Sequence, residues 1–584
     1  MIGNTEKRQI GGWTKALFIL SLGILCLLFF AFIQPYHLLH EEQMQLFLFS
    51  SDYFLSYFSK PGWLSCYIGD FLTQFYYIKG VGALVIFLVL GATLLLLSGV
   101  FSGLGKREHG LYAVIPVLLE WSLQLDSAHS LSSSIAFLLA LSCFLLYTLI
   151  KKPHRAGIFS LITAPLLYSM AGGYFLTFIL LVIVYDLAKR RFSSFPYWLL
   201  LIGEGIALPL LLRTYYLLTV EQAFLYPSNQ PTAFLPTLVL IGLLIGFGIS
   251  LPKRSFRYQR KEQIVLFICA LCAIINLFVN INQEKEKLLA LDSEAYFGHW
   301  ETVSAKAESY QMRSPVATYF TNLARLKQGV LPDSLLSAYQ PFTSGLFIPV
   351  GPQSTPLEIL FSGEIYYQLG DMNMAQHATM LAMIFSPQHR SARLVKRLTE
   401  INLIIGDTAA VDKYLRILDK TLFYADYATN IRQIMQERDS NDWLAGKRSQ
   451  IATSDTIRMA SDAVASLTLL IESHPENKEA LDYLLCYHLL NKDIQSFLAI
   501  YDQWYKGREY DLPKLYGEAL LIALARQKVP AKVLESYQIP QELTTDFLAY
   551  TKEYQEAAGD GTGLQEKYAK TYWFYYHYAQ IKEA

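Results

Sequence analysis

Charged residues are scarce in this chain, at 17% against 53% hydrophobic. A soluble globular chain carries nearer a quarter, so much of the sequence is written for a solvent other than water. No clustered basic stripe is present, which excludes an ordinary nucleic-acid binder. Cysteine is also sparse: six in 584 residues exclude a disulfide framework. Cys26, Cys143, Cys269 and Cys272 lie inside apolar runs, as small buried side chains do. Cys269 and Cys272 have CxxC spacing but neither a histidine nor a second pair beside them, so they do not make a zinc site. Only Cys66 and Cys486 lie where a disulfide could form. There is no Walker loop, no glycine-rich dinucleotide turn after a strand and no serine nucleophile elbow.

The shortage of charge is uneven. Up to Gln283 there are 19 basic and 12 acidic residues; the remainder holds 30 and 37. Two halves of opposite balance point to separate environments. The first half contains runs near the roughly twenty apolar residues that cross a bilayer as a helix: Trp13–Ile33, Val81–Phe101, Leu111–Leu125, Leu131–Ile150, Ile158–Met170, Tyr174–Leu187, Tyr197–Leu212, Phe234–Leu251 and Ile264–Ile281. Leu111–Leu125 and Ile158–Met170 are short and would be tilted or broken. No small-residue cleavage site follows the first run, which reads as an uncleaved anchor.

Lys and Arg in the connecting loops set the orientation. One set of loops carries 16 of them: Lys7, Arg8, Lys15, Lys106, Arg107, Lys151, Lys152, Arg155, Lys189, Arg190, Arg191, Lys253, Arg254, Arg257, Arg260 and Lys261. The alternate loops carry only Lys60, Lys79 and Arg213 before the last run. The alternation places the N-terminus in the cytoplasm and everything after Ile281 outside. The first outer loop, Pro35–Gly80, repeats aromatics and aliphatics at helical spacing. It reads as amphipathic helices lying on the membrane interface, broken at Lys60-Pro61-Gly62.

From Asn282 the pattern becomes amphipathic helices separated by polar turns. ILFSGEIYYQLGDMNMAQHATMLAMIFSP spans Ile359–Pro387, and a second unit places Gly406-Asp407 36 residues after Gly370-Asp371. A third reads HPENKEALDYLLCYHLLNKDIQSFLAIYDQW. Each resembles a tetratricopeptide unit, with small residues such as Ala375 and Ala378 facing a partner helix. The resemblance implies a helical solenoid, an architecture that offers a concave surface to protein partners. The closing run TYWFYYHYAQ, from Thr571, must be buried, capping the solenoid or docking on the first-loop helices. The fold class is therefore all-α: a polytopic transmembrane bundle of about nine spans over 1–281, then a soluble tetratricopeptide-like solenoid over 282–584.

Ionisable groups inside spans are costly and are functional candidates. Glu120 and Glu204 are two, and Arg213 ends the span that holds Glu204, available to pair with an acid or bind substrate. On the outer side lie His37, His40, Glu41, Glu42, Asp52, Asp70, Asp126, His129 and Glu221. His37, His40 and Glu41 can share a helix face and bind a divalent cation, but HxxHE is not the zinc-protease motif, and polar residues exposed at the membrane interface are the favoured reading.

The layout resembles that of GT-C glycosyltransferases: a long first outer loop of interfacial helices with acidic residues, short or broken spans and an outer soluble domain. The resemblance implies catalysis by Glu41, Glu42 and Asp52, with Glu120, Glu204 and Arg213 binding a polyprenyl-linked donor. These acids would then converge on one cavity open to lipid. Glu41–Phe54, Lys60–Phe75, Tyr319–Leu335 and the TYWFYY ending also resemble a family of multi-span Bacteroidetes proteins with a tetratricopeptide-like tail, which implies an inner-membrane, periplasm-facing setting. The alternative is a non-catalytic assembly protein whose solenoid binds periplasmic partners. A transporter using Glu204 lacks the inverted repeat of interrupted spans that would favour it.

Overall fold

The computed structural model describes residues 19–103, 112–127, 129–248, 256–437, 440–453, 462–557 and 560–580. Every regular element among them is helical. Lys7, Arg8, Lys15, Lys106, Arg107, Lys253 and Arg254, part of the charge alternation, lie outside the described residues. The chain divides into two units, Met1–Glu286 with Lys420–Ala425, and Lys287–Asp419 with Asp426–Ala584.

The first unit is a helical bundle of α1 (Ile19–Ile33), α2 (Pro35–Gln43), α3 (Ser51–Ser56), α4 (Trp63–Thr73), α5 (Val81–Gly103), α6 (Val114–Leu123) and α7 (Leu131–Leu149). It continues through α8 (Pro153–Ala171), α9 (Phe175–Ala188), α10 (Phe195–Leu212), α11 (Val220–Leu225), α12 (Leu235–Gly248) and α13 (Phe256–Val279). Among the described residues, five helical runs are long and apolar enough to cross a membrane: Val81–Phe101, Leu131–Leu149, Pro153–Ala188, Phe192–Leu212 and Phe267–Tyr296. A sixth is added if α1 and α2, bent by 70° at their junction, count as one. Outward-facing side chains such as Leu95 and Leu149 are 75% and 73% exposed, a band that a bilayer would cover.

The expected count of nine spans is thus corrected. At 1.5 Å per residue, the ten residues of α6 cover about 15 Å, half of a hydrocarbon core of about 30 Å. The fourteen described residues of α12 cover roughly 21 Å. Ile158–Met170 and Tyr174–Leu187 fall in one apolar run, α8 and α9, interrupted only at Gly172–Tyr174. That interruption depends on glycine. Gly172 has φ +57, and a Cβ on Gly173 would sit 1.9 Å from the Phe224 carbonyl oxygen.

The first outer loop departs from an apolar-face-down layer. The Lys60-Pro61-Gly62 break is present, with Gly62 at φ +78 and its N–H donating to the Ser169 carbonyl. But α4 packs on α7 and α8, burying a stripe of small residues, Ser65, Cys66, Gly69 and Thr73. A Cβ on Gly69 would lie 2.6 Å from the backbone of Ser132, so α4 touches α7 where it lacks a side chain. The aromatic residues pack among themselves instead: Phe47 meets Tyr53, Tyr67 and Phe71, and Phe58 stacks on Trp63. Small residues on one side and rings on the other let the loop fold into the bundle.

In the second unit, successive helices pack as pairs, Pro356–Leu369 on Met372–Ile384 and Ala392–Ile405 on Thr408–Leu418. Each of these pairs turns on a left-handed glycine, Gly370 or Gly406, and the following aspartate caps the next helix. The pair Lys478–Leu490 and Ile494–Ile500 turns on Lys492 at φ +57 and caps with Asp493. Ala375 and Ala378 are buried between paired helices. Three helices share a buried charge network. Arg393 grips Asp292 with both guanidinium nitrogens, and Arg397 reaches Glu364 at 2.8 Å while lying 3.6 Å over the Tyr367 ring. The closing aromatic helix Tyr572–Tyr578 is held within this unit: the Tyr572 N–H donates to Glu518, and the Trp573 indole donates to the Glu518 carbonyl. Burial raises the Glu518 carboxyl to about 7. Cys66 and Cys486 are both free thiols.

Candidate functional site

The predicted site residues do not share a centre. Glu41 pairs with His37 one turn earlier on α2, at 3.2 Å. Glu42 is buried and accepts a hydrogen bond from the Tyr424 hydroxyl at 2.6 Å. Asp52 sits in the first turn of α3, facing solvent. At the N-terminus of α2, the Glu286 carboxylate accepts from the backbone N–H groups of Tyr36 and His37, filling the place an anion would take there. Among the described residues no group of three His, Cys, Asp or Glu is placed to hold a metal, so His37, His40 and Glu41 do not form the cation site their spacing allows.

Glu204 lies midway along α10 with one carboxylate oxygen buried and without a hydrogen-bond partner among the described residues. Arg213 caps the end of the same helix. Nine residues of helix separate them by roughly 13 Å, so they do not pair, and Arg213 makes no ion pair among the described residues.

Glu120 is the centre of a polar cluster the sequence only partly signals. It is fully buried on α6, accepts a short hydrogen bond from the Ser134 hydroxyl on α7, and lies 3.4 Å from His129 Nε2. Gln124 donates to Ser134 at 2.6 Å. The opposite atoms, Glu120 Oε2 and His129 Nδ1, have no partner among the described residues. The serine run from Ser130 to Ser134 at the head of α7 was the available signal, since so many hydroxyls at the start of an apolar helix need partners.

Asp70 lies outside the predicted catalytic and substrate-binding set. Its carboxylate on α4 accepts from the Tyr57 hydroxyl at 2.6 Å, which in turn meets the Tyr53 hydroxyl at 2.6 Å; Ser132 approaches the other oxygen at 3.5 Å. Burial raises this carboxyl to about 6, against the hydrogen bonds from Tyr57 and Ser132 that pull it down. The neighbouring Cys66 thiol is pushed by burial to about 12, which leaves it a poor nucleophile.

A cavity in this unit lies elsewhere. About 350 Å³ in volume, it is walled by the end of α1, the start of α2, and the stretch from Tyr76 to the first turn of α5. None of the predicted carboxylates lines it; its only charged lining residue is Lys79.

The chain belongs to a family of unknown function, DUF6057, whose model matches residues 12–579 and so takes in both units. No curated protein and no solved structure matches it.

Proposed function

We propose that the chain is a non-catalytic assembly protein of a bacterial inner membrane, in which a bundle of membrane spans carries a tetratricopeptide-like solenoid that binds protein partners on the outer face. The observation that carries this reading is the use made of the acids. Glu41, Glu42 and Glu286 are spent on partners inside the fold, Asp52 is on the surface, and the cavity takes none of them. The second unit, by contrast, leaves Met380, Ile384 and Phe385 about half exposed at the end of one helix, an apolar patch of the kind partners cover.

One observation favours the transferase reading, with a different residue. Asp70, titrating near neutrality and wired to two tyrosine hydroxyls, has the tuning of a general base. Complementation of a deletion strain separates the two. The assembly role expects Glu41→Gln, Asp52→Asn and Asp70→Asn to restore the phenotype fully, and Ile384→Asp with Phe385→Asp to fail at normal membrane levels. Failure of Asp70→Asn alone, at normal levels, would transfer the case to the transferase.

A further inference from the structure

The cavity beside Lys79 belongs to neither of those readings. Phe30, Leu38 and Leu39 give it apolar walls, and Tyr77, stacked on Phe423 at 5.1 Å, closes one side. Its volume of about 350 Å³ is that of a small-ligand pocket, for which 300–1,000 Å³ is usual. It lies where α1 ends and α5 begins, which in a membrane is the depth at which acyl chains give way to headgroups.

The polar groups gather at the α5 end. The Lys79 ammonium is exposed and has no ion-pair partner among the described residues. Beside it, in the first turn of a 23-residue helix, the Val81 N–H donates to the Ile78 carbonyl and the Leu84 N–H to the Gly80 carbonyl, which leaves the N–H groups of Gly82 and Ala83 without a backbone acceptor among the described residues. Gly80, at φ +82, has nothing within 4 Å of where a Cβ would be, so the approach to that turn is open.

An apolar pocket at headgroup depth, a lone cation and a helix N-terminus share one complement. We propose that the cavity binds a membrane lipid ending in a phosphate monoester, with its chain against Phe30 and Leu38 and its phosphate on Lys79 and the first turn of α5. The pocket and its charge, rather than either functional reading, carry this assignment; it requires only that α5 spans the membrane.

The test uses the full chain in phosphatidylcholine nanodiscs containing a photoactivatable phosphatidic acid, with crosslinks mapped by peptide mass spectrometry. Labelling is expected at residues 30–39 and 76–83, competed by unlabelled phosphatidic acid and not by diacylglycerol. Lys79→Glu should cut it about fivefold or more, the effect of one interfacial charge. Ala31→Trp, which fills the cavity from α1, should abolish it while Lys79 remains. Equal labelling by a photoactivatable diacylglycerol, or no change in Lys79→Glu, would mean that bulk lipid merely fills a groove and would overturn the proposal. Displacement by millimolar inorganic phosphate alone would make free phosphate the ligand and overturn the assignment to a lipid.

Discussion

The hydroxyl of Tyr424 donates to Oε1 of Glu42 at 2.6 Å, joining residues 382 positions apart. Phe423 stacks on Tyr77 beside it, and the Phe49 N–H donates to the Lys420 carbonyl at 2.7 Å. Lys420–Ala425 therefore completes the first unit around the outer loop, and Glu42 is an acceptor within that arrangement.

Tyr424→Phe should lower the unfolding free energy by about 1–3 kcal/mol, the cost of taking a donor from a buried carboxylate. Asp52→Asn, on the surface, should change it by less than about 0.5 kcal/mol. Thermal unfolding of both variants in the same detergent checks this; equal shifts would refute the distinction.

Asp70 gives a pH dependence of definite sign. Its folded carboxyl titrates near 6 against an ordinary 3.8, so the folded state holds the proton more tightly. The stability this contributes is fully present below pH 3.8 and is lost as pH rises through about 6. Asp70→Asn should flatten stability across that window and make the protein roughly 1–3 kcal/mol more stable than the parent at pH 7.5. Unfolding curves at pH 4 and 7.5 decide it, and a variant less stable at both would contradict the assignment.

In the second unit, Arg393→Met strands the buried Asp292 carboxylate and should cost about 3–5 kcal/mol. Adding Asp292→Asn should restore much of the loss, because the stranded charge rather than the missing contact dominates the cost. Urea titration of the two variants should show the double variant as the more stable one.

Gly173→Ala should prevent accumulation of folded protein or cost more than about 3 kcal/mol, since its Cβ meets the Phe224 carbonyl. Gly203→Ala, with nothing within 4 Å, should be neutral or stabilising by up to about 1 kcal/mol. Size-exclusion profiles at matched expression separate them.

Several turns were legible because they are local. The Gly370-Asp371 and Gly406-Asp407 turns follow from a residue that tolerates positive φ beside one that caps. The break at Pro61-Gly62 has the same origin, and burial of the TYWFYY ending follows from its apolar area alone. The candidate acids were legible as residues but not as a site. Spacing places Glu41 and Glu42 on one short helix, yet their partners, His37 and Tyr424, lie four and 382 positions away.

By itself the sequence determined the helical class and the segments too apolar for water, because hydrophobicity and helical periodicity act within one segment. Only the tertiary structure decided how many of those segments are long enough to cross a membrane. It also decided that α4 turns its small residues to the bundle, that Glu41 and Glu42 are spent on internal partners, and that Lys79 is left facing a cavity. Those outcomes depend on packing between distant segments, where one glycine or one hydroxyl sets the approach, and no local pattern records which segments meet.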